Sequence, residues 1–418
     1  MDDFRYQENR LHCEQVPLDH IAAAVGTPFY CYSEGTLEHH FDVFRKAFAA
    51  CEHLICYSVK ANGALAVLDA LARRGSGFDI VSAGELERVR RIGTPGERIV
   101  FSGVGKTSAE IRAALEYGIL LFNVESRAEL IRLNTLAGQM GKKAPIALRI
   151  NPDVNPATHP YISTGLARNK FGIPTPQAVA LYRQAAAMEH ILPIGLDCHI
   201  GSQLTTLEPF VDALRRIKQL LVILRGEGIP LRYLDLGGGL GIPYEAQQTP
   251  PNPERYASAL LNELQGLEVI LILEPGRVIV GNAGILVTRV EYIKQGAEKR
   301  FVITDAGMND LIRPALYDAY HGILPVIRRF DREEIMADVV GPICETGDFF
   351  ARDRMMPECH AGELLAIRSA GAYGFSMSSN YNTRPRAAEV MVRKDRFAVI
   401  RPRETLHQLL EHETLFSA

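Results

Sequence analysis

The sequence predicts an α/β protein, a (β/α)8 TIM-type barrel followed by a mostly β C-terminal domain, and three observations carry that prediction. Eight short apolar runs recur between residues 54 and 273. Helical periodicity separates most of them. After about residue 280 the pattern changes to strand-like runs without long helices between them.

The eight runs are Leu54–Val59, Phe78–Val81, Arg98–Ser102, Leu120–Val124, Pro145–Ile150, Pro193–His199, Arg232–Leu236 and Val269–Leu273. Runs this brief and rich in Ile, Val and Leu suit parallel strands buried on both faces. The helices between them are expected at Ala64–Arg73, Ala83–Ile92, Ser108–Tyr117, Glu125–Met140 and Leu207–Arg225. Gly75, Gly93, Gly118, Gly141 and Gly228 follow helical stretches, where a left-handed cap is expected. Eight such units over roughly 220 residues fit a closed barrel, for which about 250 residues is typical. Periodicity alone leaves a doubly wound open sheet as the alternative.

The later strands are expected at Gly284–Ile293, Arg300–Thr304, Ala337–Val340, Glu363–Arg368, Ala387–Arg393 and Arg396–Arg401, with a short helix within Asp310–His321. The expected domains are therefore a barrel over 36–280 and a β domain over 281–418. An N-terminal segment, 1–35, joins the β domain through Pro28–Tyr32.

A chain of 418 residues has room for both domains. A net charge of −3 gives no general attraction to nucleic acid or anionic membrane. No apolar stretch reaches the ~18 residues of a membrane span, and no signal-like N-terminus is present. Seven irregularly spaced cysteines describe neither a disulfide framework nor a zinc site. The expectation is a cytoplasmic protein without a metal.

The carboxyl ends of barrel strands share the face that carries the active site. The first run leads to Lys60, an amine that burial would drive towards its neutral, nucleophilic form. The sixth leads through His199 to Ser202, the seventh into Gly237–Gly241, and the eighth into Glu274, Gly276 and Arg277. Each has a plainer reading: a solvated lysine, a core histidine, a tight turn, a rim ion pair. Together they offer an amine, a ring, backbone amides, a carboxylate and a guanidinium around one mouth. That set matches the needs of pyridoxal 5'-phosphate. The glycine loop would admit the phosphate, His199 would stack on the pyridine ring, and Glu274 would keep its nitrogen protonated.

The residues around Lys60, together with His199–Ser202, Gly237–Gly239, Glu274–Arg277 and Cys344–Asp348, resemble the alanine-racemase-fold decarboxylases. The whole chain is similar to the bacterial diaminopimelate decarboxylase family. The likeness extends through Gly26–Tyr30, Ile162–Gly165, Asn169–Ile173, Met308–Pro314, Ala370–Gly374 and Tyr381–Pro385. Gly63 and the Ala306–Gly307 loop depart from the family pattern.

This resemblance implies decarboxylation of meso-2,6-diaminopimelate to L-lysine and CO2, the last step of lysine biosynthesis. Lys60 would hold the cofactor as a Schiff base, and Lys60 and Cys344 would be catalytic, with Cys344 the proton donor. The implied cofactor set is Lys60, Asp79, His199, Ser202, Gly238, Gly239, Glu274, Gly276, Arg277 and Tyr373. The implied substrate set is Arg277, Arg313, Tyr317, Glu345 and Tyr373. Two guanidinium forks suit a distal carboxylate, and Glu345 would meet the distal ammonium. Cys344 and Glu345 would serve the opposite subunit of a homodimer.

Rival readings are available. The same chemistry on ornithine, arginine, carboxynorspermidine or a secondary-metabolite intermediate needs few substitutions. A non-catalytic relative would have lost Lys60, Cys344 or Glu274, all of which are present. The stretch Ser102–Thr107 imitates a P-loop, but Val100 stands where that loop needs its first glycine. The loop at 237–241 lacks the dinucleotide spacing, since position 242 is Ile.

Overall fold

The structure, a computed structural model, describes residues 2–154, 169–245 and 247–416. Its contacts divide into two compact units. One comprises residues 39–242 and 249–278; the other comprises 1–38, 243–248 and 279–418.

The first unit is a closed parallel barrel. Its strands are β1 (His53–Ser58), β2 (Gly77–Ile80), β3 (Ile99–Phe101), β4 (Leu121–Val124), β5 (Ala144–Asn151), β6 (Ile191–Asp197), β7 (Tyr233–Asp235) and β8 (Ile270–Leu273). Each pairs in parallel with the next, and β8 closes on β1 through Leu271 opposite His53. Closure decides against the open sheet. All eight strands lie where apolar runs predict them, because a strand covered on both faces needs apolar side chains along its whole length.

Helices join the strands at Leu65–Arg73, Ala83–Arg91, Ser108–Tyr117, Arg127–Gln139, Thr175–Ala186, Glu208–Gly226 and Pro253–Glu263. Their starts are written locally. Ser82, Thr107, Ser126 and Asn252 each accept a backbone N–H of the first turn, and Thr107 with Glu110 closes a capping box. Gly118 caps its helix in the left-handed region at φ 73°.

The second unit holds a nine-stranded sheet. Its order is Phe349–Pro357, Glu334–Val340, Arg300–Thr304, Gly284–Gln295, Phe29–Ser33, Ala388–Arg393 and Arg396–Arg401, with Leu364–Ile367 pairing onto Gly284–Gln295 and Ile323–Pro325 onto Leu364–Ile367. The N-terminal strand Phe29–Ser33 lies between Gly284–Gln295 and Ala388–Arg393. Under it sits an apolar core that includes Leu11, Ile21, Phe29, Ile285, Val287 and Val390.

One element differs from expectation. Phe349–Pro357 is a nine-residue strand that the apolar pattern missed. Arg352 and Arg354 break the run, and both guanidinium groups stack on rings, Arg352 3.8 Å from the centre of Phe349 and Arg354 4.1 Å from that of Tyr320. The short helix expected within Asp310–His321 occupies Arg313–Tyr317. Pro314 sits in its first turn, and Asp318 ends it in the left-handed region.

Candidate active site

Lys60 stands in a single turn, Val59–Ala61, just past β1. Its Nζ donates to Asp79 Oδ2 at 2.6 Å, and the same oxygen accepts the Ser58 hydroxyl at 2.9 Å. Asp79 is fully buried, whereas the lysine side chain is 36% exposed. The amine is thus partly solvated and faces a buried carboxylate. Lys60 is the charged half of an ion pair at the rim, because β2 places a buried carboxylate beside it.

Glu274, at the end of β8, lies in a buried cluster that the sequence reading did not assemble. Asn123 Nδ2, on β4, donates towards Asp235 Oδ2 at 3.0 Å and towards Glu274 Oε1 at 3.2 Å. The Ser102 hydroxyl donates to the same Glu274 oxygen at 3.3 Å. Burial pushes the Glu274 carboxyl well above its ordinary range, and the carboxylates of Asp235, Asp79 and Asp197 add to the push. Burial also raises Asp235 to about 6, against hydrogen bonds from Asn123, the Gly237 amide and Glu274 that oppose the rise. Ser102, Asn123, Asp197 and Asp235 carry a signal that could have found them: a polar residue at the carboxyl end of an apolar run has to be explained.

Beside this cluster Arg149 pairs with Glu125 at 3.0 Å, both buried, and stacks 5.0 Å from the centre of the Phe171 ring. Phe171 gives the Asn169–Ile173 motif its physical meaning. The motif Ile162–Gly165 lies outside the described residues.

His199 is half-buried and neutral. Burial lowers its pKa first, and the charges of Arg149 and Lys60 lower it further. Its Nδ1 accepts the Gly238 N–H at 3.2 Å, which places the ring proton on Nε2. The Gly238 amide thus orients the imidazole. The glycines serve packing as well. A Cβ on Gly238 would lie 2.2 Å from the Glu274 carbonyl oxygen, and one on Gly239 would lie 2.6 Å from that of Gly201. Gly276 packs on Ala61 and Ser58, where a Cβ would meet theirs at 3.0 and 3.1 Å. Arg277 Nη2 donates to Ser202 Oγ at 3.2 Å, joining a cation to a hydroxyl.

The barrel end therefore gathers Lys60, Asp79, His199, Ser202, Gly238, Gly239, Glu274, Gly276 and Arg277. The residues Arg313, Tyr317, Cys344, Glu345 and Tyr373 belong to the other unit. There Cys344 and Glu345 are exposed on a loop, while Cys13, Cys31, Cys56, Cys198 and Cys359 are buried. The alternative of Cys344 as a buried apolar residue is thus set aside. Asp348 holds this loop by accepting the Ile343 N–H at 2.7 Å and the Met308 N–H at 2.6 Å, and Asn382 Oδ1 accepts the Cys344 N–H at 2.8 Å. Tyr373 takes a left-handed conformation at φ 56° within its tight turn.

The P-loop imitation is resolved by Lys106. Its Nζ is buried and donates to the Gly103 carbonyl at 2.8 Å, the Asn123 carbonyl at 2.7 Å and Glu129 Oε1 at 2.8 Å. An ammonium with three protein acceptors has no donor left for a phosphate.

Comparison with known proteins follows the same lines. Residues 34–281 match the family of the pyridoxal-dependent decarboxylase, pyridoxal binding domain. The chain is 55% identical over 417 residues to the diaminopimelate decarboxylase of Vibrio cholerae, covering 99% of each. The chain belongs to the diaminopimelate decarboxylase family.

Solved structures of the family agree over the whole length. The Helicobacter pylori diaminopimelate decarboxylase complexed with L-lysine superposes with a TM-score of 0.91 at 44% identity, covering 94% of this chain and 98% of that one. The M. jannaschii diaminopimelate decarboxylase in co-complex with L-lysine gives 0.94 at 39% identity, covering 99% and 98%. Enzymes of this family use pyridoxal phosphate, and the donor set at the barrel end fits it. The barrel end offers an amine, a buried carboxyl whose pKa burial raises, an imidazole and a guanidinium–hydroxyl pair.

Proposed function

We propose that this protein removes CO2 from meso-2,6-diaminopimelate with pyridoxal phosphate, releasing L-lysine in the cytoplasm. The observation that carries this reading is Lys60 paired with Asp79 at the barrel end that also holds the buried Glu274, in a chain related over its full length to diaminopimelate decarboxylases.

When bound, the cofactor supplies a conjugated ring that takes up the electrons left by departing CO2. The rest is work for the protein. Lys60 would hold the cofactor through its amine, with Asp79 beside it as the acceptor of the Nζ–H. Glu274 would hold the cofactor's ring nitrogen in its protonated form, with Asn123 and Ser102 donating to its Oε1. His199, oriented by the Gly238 amide, would stack on the cofactor's ring. Arg277 and Ser202 would help to hold the phosphate.

Arg313 and Tyr317, together with Arg277, would grip the distal carboxylate. Glu345 would meet the distal ammonium, and Tyr373 would line the pocket. Cys344 would return a proton to the α-carbon. The exposure of Cys344 and Glu345 supports a homodimer in which each chain lends this loop to its partner's site.

The test is release of lysine and CO2 from purified protein given pyridoxal phosphate and meso-diaminopimelate, with ornithine, arginine and carboxynorspermidine in parallel. Turnover confined to diaminopimelate is expected. Turnover of one of the others instead would keep the cofactor assignments and overturn the distal-end ones.

A further inference from the structure

Within the second unit, Arg313 is buried to 5% exposure, and His321 is fully buried beside it. The imidazole touches two groups of opposite demand. Its Nδ1 lies 2.8 Å from the Arg368 carbonyl oxygen, which can only accept. Its Nε2 lies 3.0 Å from Arg313 Nη1, which can only donate. One state of the ring satisfies both, the neutral tautomer with its proton on Nδ1 and its lone pair on Nε2. A protonated ring would set an N–H against the guanidinium N–H.

The rest of the pocket holds this arrangement in place. Tyr244 packs edge-on against His321, ring centres 5.3 Å apart, and its face lies 4.6 Å from Arg313 Cζ. Arg354 Nη1 donates to the His321 carbonyl oxygen at 3.0 Å, and the Arg368 N–H donates to the Gly322 carbonyl at 2.8 Å, so the backbone on both sides of the imidazole contact is tied. A guanidinium recognises a carboxylate through its plane, and a plane free to turn loses much of that selectivity. Among these contacts the Nε2 lone pair fixes the rotation of that plane, and the tyrosine face fixes its tilt.

We propose that His321 is a positioning residue whose neutral ring accepts from Arg313 and thereby fixes the guanidinium that grips the substrate's distal carboxylate. The inference rests on the reading of Arg313 given above. It goes further in making selectivity for a carboxylate-bearing chain depend on one buried tautomer that touches no substrate.

Two substitutions separate the two contacts of the ring. His321→Gln keeps an acceptor within reach of Arg313 and loses the donor to Arg368. His321→Asn keeps a donor for Arg368 and loses the acceptor for Arg313. The measurements are KM and kcat for meso-diaminopimelate and the inhibition constants of L-lysine, which retains the distal carboxylate, and cadaverine, which lacks it. The Asn variant is expected to weaken lysine and to raise KM about tenfold, the range of one hydrogen bond to a charged group. Its kcat and its cadaverine constant should stay within about threefold of wild type, and the Gln variant should resemble wild type throughout.

Arg313→Ala is the reference. If it weakens lysine but His321→Asn does not, the proposal for His321 falls and the role of Arg313 stands. If Arg313→Ala leaves lysine binding intact, the distal-carboxylate reading falls, and the proposal for His321 with it. Should the Gln variant be the damaged one, the ring acts through Arg368 as a structural tie, and the proposal is overturned. Equal loss of lysine and cadaverine binding in the Asn variant would overturn it as well.

Discussion

The 2.6 Å contact between Lys60 Nζ and Asp79 Oδ2 places the lysine proposed to hold the cofactor in an ion pair whose anionic half is fully buried. Asp79 is held in turn by the Ser58 hydroxyl, so the pair has a fixed geometry on the barrel rim. Lys60→Ala is expected to abolish turnover, and borohydride should no longer fix pyridoxal phosphate covalently to the protein. Covalent fixation retained in that variant would remove Lys60 from its role. Asp79→Asn keeps an acceptor but removes the charge. It should leave covalent fixation possible while weakening cofactor retention, read as faster loss on dialysis.

Asn123 holds Glu274 and Asp235 from one amide nitrogen. Asn123→Ala leaves buried carboxyl oxygens short of a donor, at a cost of about 1–3 kcal/mol in stability. Turnover should fall about tenfold, which corresponds to about 1.4 kcal/mol in the barrier. Asn123→Asp should be worse than Ala, because it adds a further carboxyl to a cluster already dominated by them. An Asp variant as active as wild type would show that Glu274 needs no such support.

Asp235 gives a dependence on pH. Its folded pKa, about 6, lies above that of the unfolded chain, so the folded state binds this proton more tightly. The stabilisation is full below the unfolded value near pH 4 and is lost as pH rises through about 6. For protein stripped of its cofactor, the unfolding free energy of Asp235→Asn relative to wild type should therefore rise by on the order of 2–3 kcal/mol from pH 4 to pH 7. Denaturant titrations across that range measure it, and a flat difference would mean that the carboxyl titrates alike in the folded and unfolded chain.

Lys106 is structural. Removing its charge leaves Glu129 buried and unpaired, and Lys106→Met should cost about 3–5 kcal/mol. The double variant Lys106→Met/Glu129→Leu should recover most of that loss, and KM for substrate should not change in either. Thermal unfolding and steady-state kinetics together check this. A large loss of activity in a stable, cofactor-loaded Lys106→Ala variant would reopen the phosphate-binding reading of its loop.

Much of this architecture was legible before any coordinates. Strands covered on both faces must be apolar along their length, and the helices between them carry their start signals in Ser82, Thr107, Ser126 and Asn252. Strand Phe349–Pro357 escaped because its arginines find aromatic faces, a compensation that no local pattern records. The short helix expected within Asp310–His321 occupies Arg313–Tyr317 and ends where Asp318 turns left-handed.

The site divides in the same way. The sequence by itself determined that Lys60, His199, the glycines at 237–239, Glu274 and Arg277 stand at strand ends, since strand position follows from apolar runs and turn residues. Only the tertiary structure decided what those residues are. Barrel closure carries Ser102, Asn123, Asp235 and Glu274, from four separate strands, into one hydrogen-bonded cluster. It pairs Lys60 with Asp79 and gives Lys106 three protein acceptors in place of a phosphate. The physical reason is that burying a polar group is tolerable only when its partners are present, and those partners lie far away in the chain.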